Sequence, residues 1–206
     1  ESILIRTPDG RWPAIDSAQR GQPGEPAINP ARRLLEDLGV NLDLLVLTHP
    51  HLDHAKGFRD LLELAGPECV VAAVEPLMRE PSPSAIATDP DDVGSNEKGI
   101  AISTHVAIQN AWNDGLGKWN LRAGSTLDVG GCTFEVLAPD DEELSAFRES
   151  RLTDLNEVSA AMRVTWGDEG DLVLGADAGP RAWGTVERRI HPSDLLPCVP
   201  VKVPHH

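Results

Sequence analysis

Cysteine, positive charge and long apolar runs are all scarce in this chain of 206 residues, and each scarcity removes a class of function. The three cysteines, Cys69, Cys132 and Cys198, lie far apart and form no CxxC pair, so neither a disulfide framework nor a thiolate zinc site is indicated. A reducing, cytoplasmic home is the simplest expectation. Lysine and arginine number 18 against 33 aspartates and glutamates, a formal charge of −15. That field repels polyanions, and no extended nucleic-acid groove is expected, although locally bound metal can still attract one phosphate. No apolar run approaches the roughly 18 residues needed to span a bilayer, so no membrane segment is expected. The opening Glu1-Ser2-Ile3-Leu4-Ile5 carries no basic, apolar leader, and no internal repeat is visible.

What is present reads as one globular domain over residues 1–206, with 40% hydrophobic and 25% charged residues. Ser2 to Arg6 and Trp12 to Asp16 predict strands around the turn Thr7-Pro8-Asp9-Gly10. Asn29-Pro30 offers an N-cap and first-turn proline, Leu34, Leu35 and Leu38 an apolar stripe, and Gly39 a stop, which together predict a helix. Leu42 to Leu47 reads as a buried strand. Phe58, Leu61, Leu62 and Leu64 pattern a second helix, closed by Gly66-Pro67, with a strand over Cys69 to Val74. Pro81 to Glu97, rich in proline, serine and aspartate, reads as a long loop. A helix is expected over Gly99 to Asn113, with Ala101, His105, Ile108 and Trp112 on one face. Hairpins follow at Thr126–Val129 with Thr133–Leu137 and at Ser159–Trp166 with Leu172–Gly175. A helix after Pro180 carries Trp183, Val186 and Ile190, and Val199 to Val203 is a last strand. Antiparallel strands alternating with helices in both halves suggest two packed sheets with helices outside.

The chemistry concentrates in Thr48-His49-Pro50-His51-Leu52-Asp53-His54, directly after the apolar strand. Three of the chain's seven histidines and one carboxylate fall within six positions. Imidazole nitrogen and carboxylate oxygen suit borderline divalent metals such as zinc, and a turn after a strand can aim closely spaced side chains at one point.

The pattern His49-x-His51-x-Asp53-His54 resembles the HxHxDH signature of the metallo-β-lactamase fold. Ile15-Asp16, Leu174-Gly175-Ala176-Asp177 and Lys202-Val203-Pro204-His205-His206 resemble further parts of it. Glu1–Ile5, Leu155-Asn156-Glu157-Val158-Ser159 and the terminal Lys-Val-Pro-His-His are similar to the hydrolase domain of ComEC-type DNA-uptake proteins and their soluble relatives. The resemblance implies an α/β fold, an αββα sandwich of two mixed sheets with helices on the outer faces, here expected to be incomplete at both ends. It also implies two divalent metals, zinc expected and manganese the alternative, with His49 and His51 on one ion and Asp53 and His54 on the other. Asp177 would bridge them and His205 be the last ligand, with His206 as its substitute. Asp16 would orient histidines from behind, and Asn156, Ser159 and Lys202 would meet substrate. Two departures stand out. Ala138 occupies the place of the fold's middle histidine, leaving His105 or no residue for that role, and Ala18 stands where a glycine is commoner.

The function so implied is hydrolysis by a water acidified between the two metals, acting on a phosphodiester of a nucleotide or nucleic acid, with Asp53 and Asp177 the catalytic carboxylates. Two rivals remain open: a hydrolase of a carboxylic ester, thioester or lactam, and a catalytically degenerate metal-binding module. The expected partner is a small-molecule or nucleotide substrate, and the oligomeric state is open.

Overall fold

The protein is described from a computed structural model covering residues 1–19, 27–74, 97–167, 170–190 and 201–202. Two mixed sheets, each with its own helices, form two compact units. The first unit holds Glu1–Arg6, Trp12–Ala73 and residues 97–119; the second holds Thr7–Arg11, Val74 and the described chain from Asn120 onward.

In the first unit the sheet order is β1 (Ile3–Leu4), β2 (Pro13–Ile15), β3 (Leu42–Leu47), β4 (Ala65–Ala73) and β5 (Gly117–Asn120). β1 and β2 are the expected antiparallel pair, with Ile3 opposite Ile15. β2, β3 and β4 run parallel, with Ile15 opposite Val46 and Val46 opposite Ala72. β3 is central, which is why Leu42-Asp43-Leu44-Leu45-Val46-Leu47 is nearly continuously apolar. Its one polar side chain, Asp43, accepts the Trp12 backbone N–H at 2.8 Å and so ties β3 to the start of β2. Because these strands are parallel, their C-terminal ends share one edge, and Asp16 and Thr48 sit one residue beyond β2 and β3 there.

Helix α1 (Pro30–Leu38) begins where the sequence predicts: the Asn29 side chain accepts the Arg32 N–H at 3.2 Å, and Gly39 closes the helix at φ 65°. The histidine segment contains a single helical turn, α2 (Leu52–Ala55), followed by α3 (Phe58–Leu62). The expected stop at Gly66-Pro67 is corrected. Both residues lie inside β4, near the shift in β3–β4 register between Leu42 and Leu44, an irregularity that accommodates a proline lacking an N–H. Helix α4 (Glu97–Asn113) packs against α2, α3 and β4. Ile108 is buried there, and the Trp112 indole donates to the Val71 carbonyl at 3.0 Å. The remainder of the expected loop, residues 81–96, lies outside the described residues.

In the second unit the sheet order is β10 (Val201–Lys202), β9 (Gly170–Leu174), β8 (Ala161–Trp166), β7 (Cys132–Ala138) and β6 (Thr126–Val129). β6 through β9 are antiparallel and β10 joins β9 in parallel. Gly130 and Gly131, at φ 60° and 77°, make the two-residue turn the sequence predicts. Gly130 is required twice over, since a Cβ there would lie 2.2 Å from the Thr7 hydroxyl oxygen. Helix α6 (Pro180–Arg189) packs Ala182 and Val186 against Leu137, Ala161 and Val173.

Helix α5 (Asp141–Arg148) was not expected from the sequence, yet its signal is present. Asp140 and Glu143 form a reciprocal capping box, with the Asp140 carboxylate accepting the Glu143 N–H at 2.9 Å and Glu143 accepting the Asp140 N–H at 2.7 Å. Glu143 is buried and also accepts the Thr185 hydroxyl at 2.7 Å, which joins α5 to α6. Burial pushes its carboxyl above the usual range. Among the described residues no helix is long and apolar enough to cross a membrane.

Candidate metal centre

His49, His51, Asp53 and His54 emerge together at the C-terminal edge of β3. Thr48 and His49 leave the strand; His51 then precedes α2, whose first turn carries Asp53 and His54. The turn is closed by the His51 carbonyl, which accepts the N–H groups of His54 and Ala55 at 3.0 and 2.8 Å. This one turn brings the third histidine back beside the first, with the His49 and His54 ring centres 4.3 Å apart.

Asp16 organises the cluster. It is 1% exposed and sits at φ 58°, a left-handed conformation uncommon for a residue with a Cβ but tolerated by aspartate. One carboxylate oxygen accepts the Thr48 N–H at 2.7 Å; the other accepts the Thr48 hydroxyl at 2.7 Å and faces His54 Nδ1 at 2.7 Å. A carboxylate can only accept, so His54 carries a proton on Nδ1, and the neutral imidazole then has its lone pair at Nε2. Thr48 passes the same instruction on. Its hydroxyl hydrogen is committed to Asp16, so its oxygen accepts from His49 Nδ1 at 3.1 Å, which puts the lone pair of that imidazole on Nε2, the atom facing His51. One carboxylate thereby sets two histidine tautomers, one directly and one through a hydroxyl.

The ligating atoms of the cluster fall into two close pairs. His49 Nε2 and His51 Nδ1 are 3.0 Å apart, and His54 Nε2 is 3.5 Å from the Asp53 carboxylate. Ligands bound at zinc-like distances with tetrahedral angles lie about 3.3 Å from one another, so each pair has the spacing of two neighbours on one ion. The donor set therefore fits divalent metal. His49 and His54 are fully buried, His51 is half-buried, and the Asp53 side chain, 45% exposed, is the most exposed member of the cluster.

Support comes from Gly57, which sequence reasoning missed, and from Asn29, which it read only as a helix cap. Asn29 donates from its amide nitrogen to the Ser17 hydroxyl and to the Gly57 carbonyl, at 3.0 and 3.1 Å, joining the segment after Asp16 to the one after His54. Gly57 sits at φ 93°, and a Cβ there would lie 2.8 Å from that amide and 3.0 Å from the Ser17 hydroxyl oxygen. A glycine three residues past the last histidine was the available signal.

In the second unit Asp177 follows β9 and is 2% exposed, directly after Ala176 at φ 45°. Ser159, predicted to meet substrate, is fully buried, and its hydroxyl accepts the Asp177 N–H at 3.4 Å. The Asn156 carbonyl accepts the Gly179 N–H at 2.9 Å. The Glu157 carboxylate accepts the Arg181 and Ala182 N–H groups at 2.9 and 3.3 Å, capping α6, and Gly179 lies so close that a Cβ would meet its carboxyl carbon at 2.6 Å. The Leu155–Val158 turn thus holds the loop that presents Asp177. His105 is buried on α4 and joins no cluster of three or more ligating side chains among the described residues. Lys202 lies in β10, and the side chains of residues 201–202, like all of His205 and His206, lie outside what is described.

No curated protein matches the chain significantly. Among solved structures it is similar to a Cronobacter sakazakii metallo-β-lactamase with a HARLDQ motif, at 16% identity over 91% of this chain and 60% of that one, TM-score 0.47. It is also similar to CmlA, a diiron β-hydroxylase from Streptomyces venezuelae, at 19% identity over 93% of this chain and 31% of that one, TM-score 0.51. The metallo-β-lactamase fold protein YhfI from Bacillus subtilis matches at 13% identity over 85% of this chain and 54% of that one, TM-score 0.45. The chain therefore spans less than two thirds of the length of each. The family profile of the metallo-β-lactamase superfamily matches residues 2–144, a span that takes in Asp16 and the whole His49–His54 cluster, and the chain belongs to that superfamily.

Proposed function

We propose that the chain is a binuclear metal-dependent hydrolase acting on a phosphodiester of a nucleotide or short nucleic acid, nearest in kind to the ComEC-type hydrolase domains. The observation that carries the metal part is the pairing of donors, His49 with His51 at 3.0 Å and Asp53 with His54 at 3.5 Å, each histidine chain traced back to Asp16. In this reading Asp177 and His205 complete the ligand set, and zinc is the first choice of metal with manganese second. Bound there, the metals supply Lewis acidity and lower the pKa of water. The protein's own part is positional. Asp16 and Thr48 hold the imidazoles with their lone pairs outward, buried His49 and His54 exclude competing solvent, and exposed Asp53 is placed to pass a proton to the departing oxygen. Asn156, whose side-chain oxygen is buried without a hydrogen-bond partner among the described residues, is the candidate substrate contact of the second unit.

Turnover of bis-p-nitrophenyl phosphate, set beside nitrocefin, a lactone and a thioester with zinc or manganese supplied, tests the substrate class. Phosphodiester turnover lost in His51→Ala is expected. Turnover of a carbonyl substrate alone would favour the ester, thioester or lactam reading, and tight metal with no turnover at all would favour a binding module.

A further inference from the structure

An open cavity of about 170 Å³ in the first unit is lined by the two segments that carry the histidine cluster, at Gln19 on one side and at Lys56, Arg59 and Asp60 on the other, with Ser103 and Thr104 of α4 completing it. Lys56 is the second residue after His54. The cavity thus sits where the chain leaves the C-terminal edge of parallel β2 and β3, the side on which open α/β sheets bind ligands.

Its charge is out of character for the protein. Acids outnumber bases by 33 to 18, and Arg32, Arg163 and Arg181 are all held in ion pairs. Lys56 and Arg59 make no ion pair among the described residues, although both line one concavity. The facing carboxylate, Asp60, is engaged by the Gln19 amide. Two cations against one tethered carboxylate leave a local surplus of positive charge, and the volume is several times the roughly 30 Å³ share of one water. Lysine and arginine side by side, with hydroxyls near, are the donors that recognise a phosphate oxyanion.

We propose that this cavity binds a phosphate group of the substrate other than the one attacked, so that the preferred substrate carries a second phosphate. The proposal rests on the phosphodiester reading for its substrate but not for its site. Titration calorimetry of the metal-loaded protein with inorganic phosphate tests the site, comparing wild type with Lys56→Gln/Arg59→Gln. A control, Arg6→Gln/Arg33→Gln, removes the same charge from exposed positions elsewhere in the unit. The cavity variant is expected to weaken phosphate binding at least tenfold at unchanged metal content and melting temperature, while the control stays within twofold of wild type. It is also expected to lower kcat/KM for a 5′-phosphorylated dinucleotide about tenfold and leave bis-p-nitrophenyl phosphate unchanged. Equal phosphate affinity in wild type and cavity variant, or equal loss in variant and control, overturns the proposal. So does an unchanged preference for the phosphorylated dinucleotide. If no phosphodiester is turned over, the functional reading fails, and the phosphate titration still decides the site.

Discussion

The histidine side and the Asp177 side of the molecule both hold buried side chains of the kind that can ligate metal, and they differ in the contacts that surround them. In the first unit a single carboxylate, Asp16, holds its neighbours through their side chains and so fixes two histidine tautomers. In the second, Ser159 accepts the Asp177 N–H, and Asn156 and Glu157 hold the backbone of the residues that follow. Both place a non-glycine residue in left-handed conformation at the critical point, Asp16 itself and Ala176 before Asp177. A histidine needs its protonated nitrogen chosen for it, whereas a carboxylate has no tautomer and needs only to be aimed.

The contrast breaks most visibly at Asp16. Asp16→Ala is expected to lower stability by at least about 3 kcal/mol, because each buried donor left without an acceptor costs about 1–3 kcal/mol and the Thr48 N–H, Thr48 hydroxyl and His54 all lose one. Asp16→Asn keeps a residue that tolerates left-handed backbone but cannot accept from every donor, and should cost 10–100-fold in metal affinity. Chemical denaturation and metal titration read the two effects. Gly57→Ala should cost about 2–3 kcal/mol, from positive φ and from displacing the Asn29 amide, with metal affinity falling in parallel. On the other side, Glu157→Ala removes only a helix cap and should cost about 1 kcal/mol, without altering the affinity of the histidine cluster for its first metal. A loss as large as that of Asp16→Ala would erase the distinction.

The smallest effect is a pH slope in the second unit. Burial raises the Glu143 carboxyl, so the folded state holds its proton at pH values where the unfolded chain has released it. Its contribution to stability therefore falls as pH rises from the usual carboxylate range through the raised folded value. Glu143→Gln lacks that slope. The stability of the variant relative to wild type should improve as pH increases across that window, and a constant difference would contradict it. A related check is Cys69, whose thiol is pushed up to about 12 by burial, so iodoacetamide near neutral pH should label it only after unfolding.

How far the sequence could be read follows the same division. The histidine cluster was legible because four donors fall within six positions and follow a strand whose apolar run is itself a signal. Helix α1 was legible from Asn29, Pro30 and Gly39, each with a local role. Thr48 and Gly57 were not, since a threonine or glycine beside a motif acquires meaning only when Asp16 and Asn29, distant in sequence, are brought alongside. Gly66-Pro67 misled for a related reason: its turn composition is overridden by pairing of β4 with β3. Helix α5 was overlooked although Asp140 and Glu143 spell its cap, because its apolar face is short. The contact of Ser159 with the Asp177 backbone was not legible either, because the two lie 18 positions apart in sequence.

Metal stoichiometry by elemental analysis after zinc loading and gel filtration tests the central claim most directly. Two equivalents are predicted for the wild-type protein, with one lost in His49→Ala/His51→Ala and one in Asp53→Ala/His54→Ala, each at retained fold. Wild-type protein that holds no metal, or double variants that each retain both equivalents, would contradict the account.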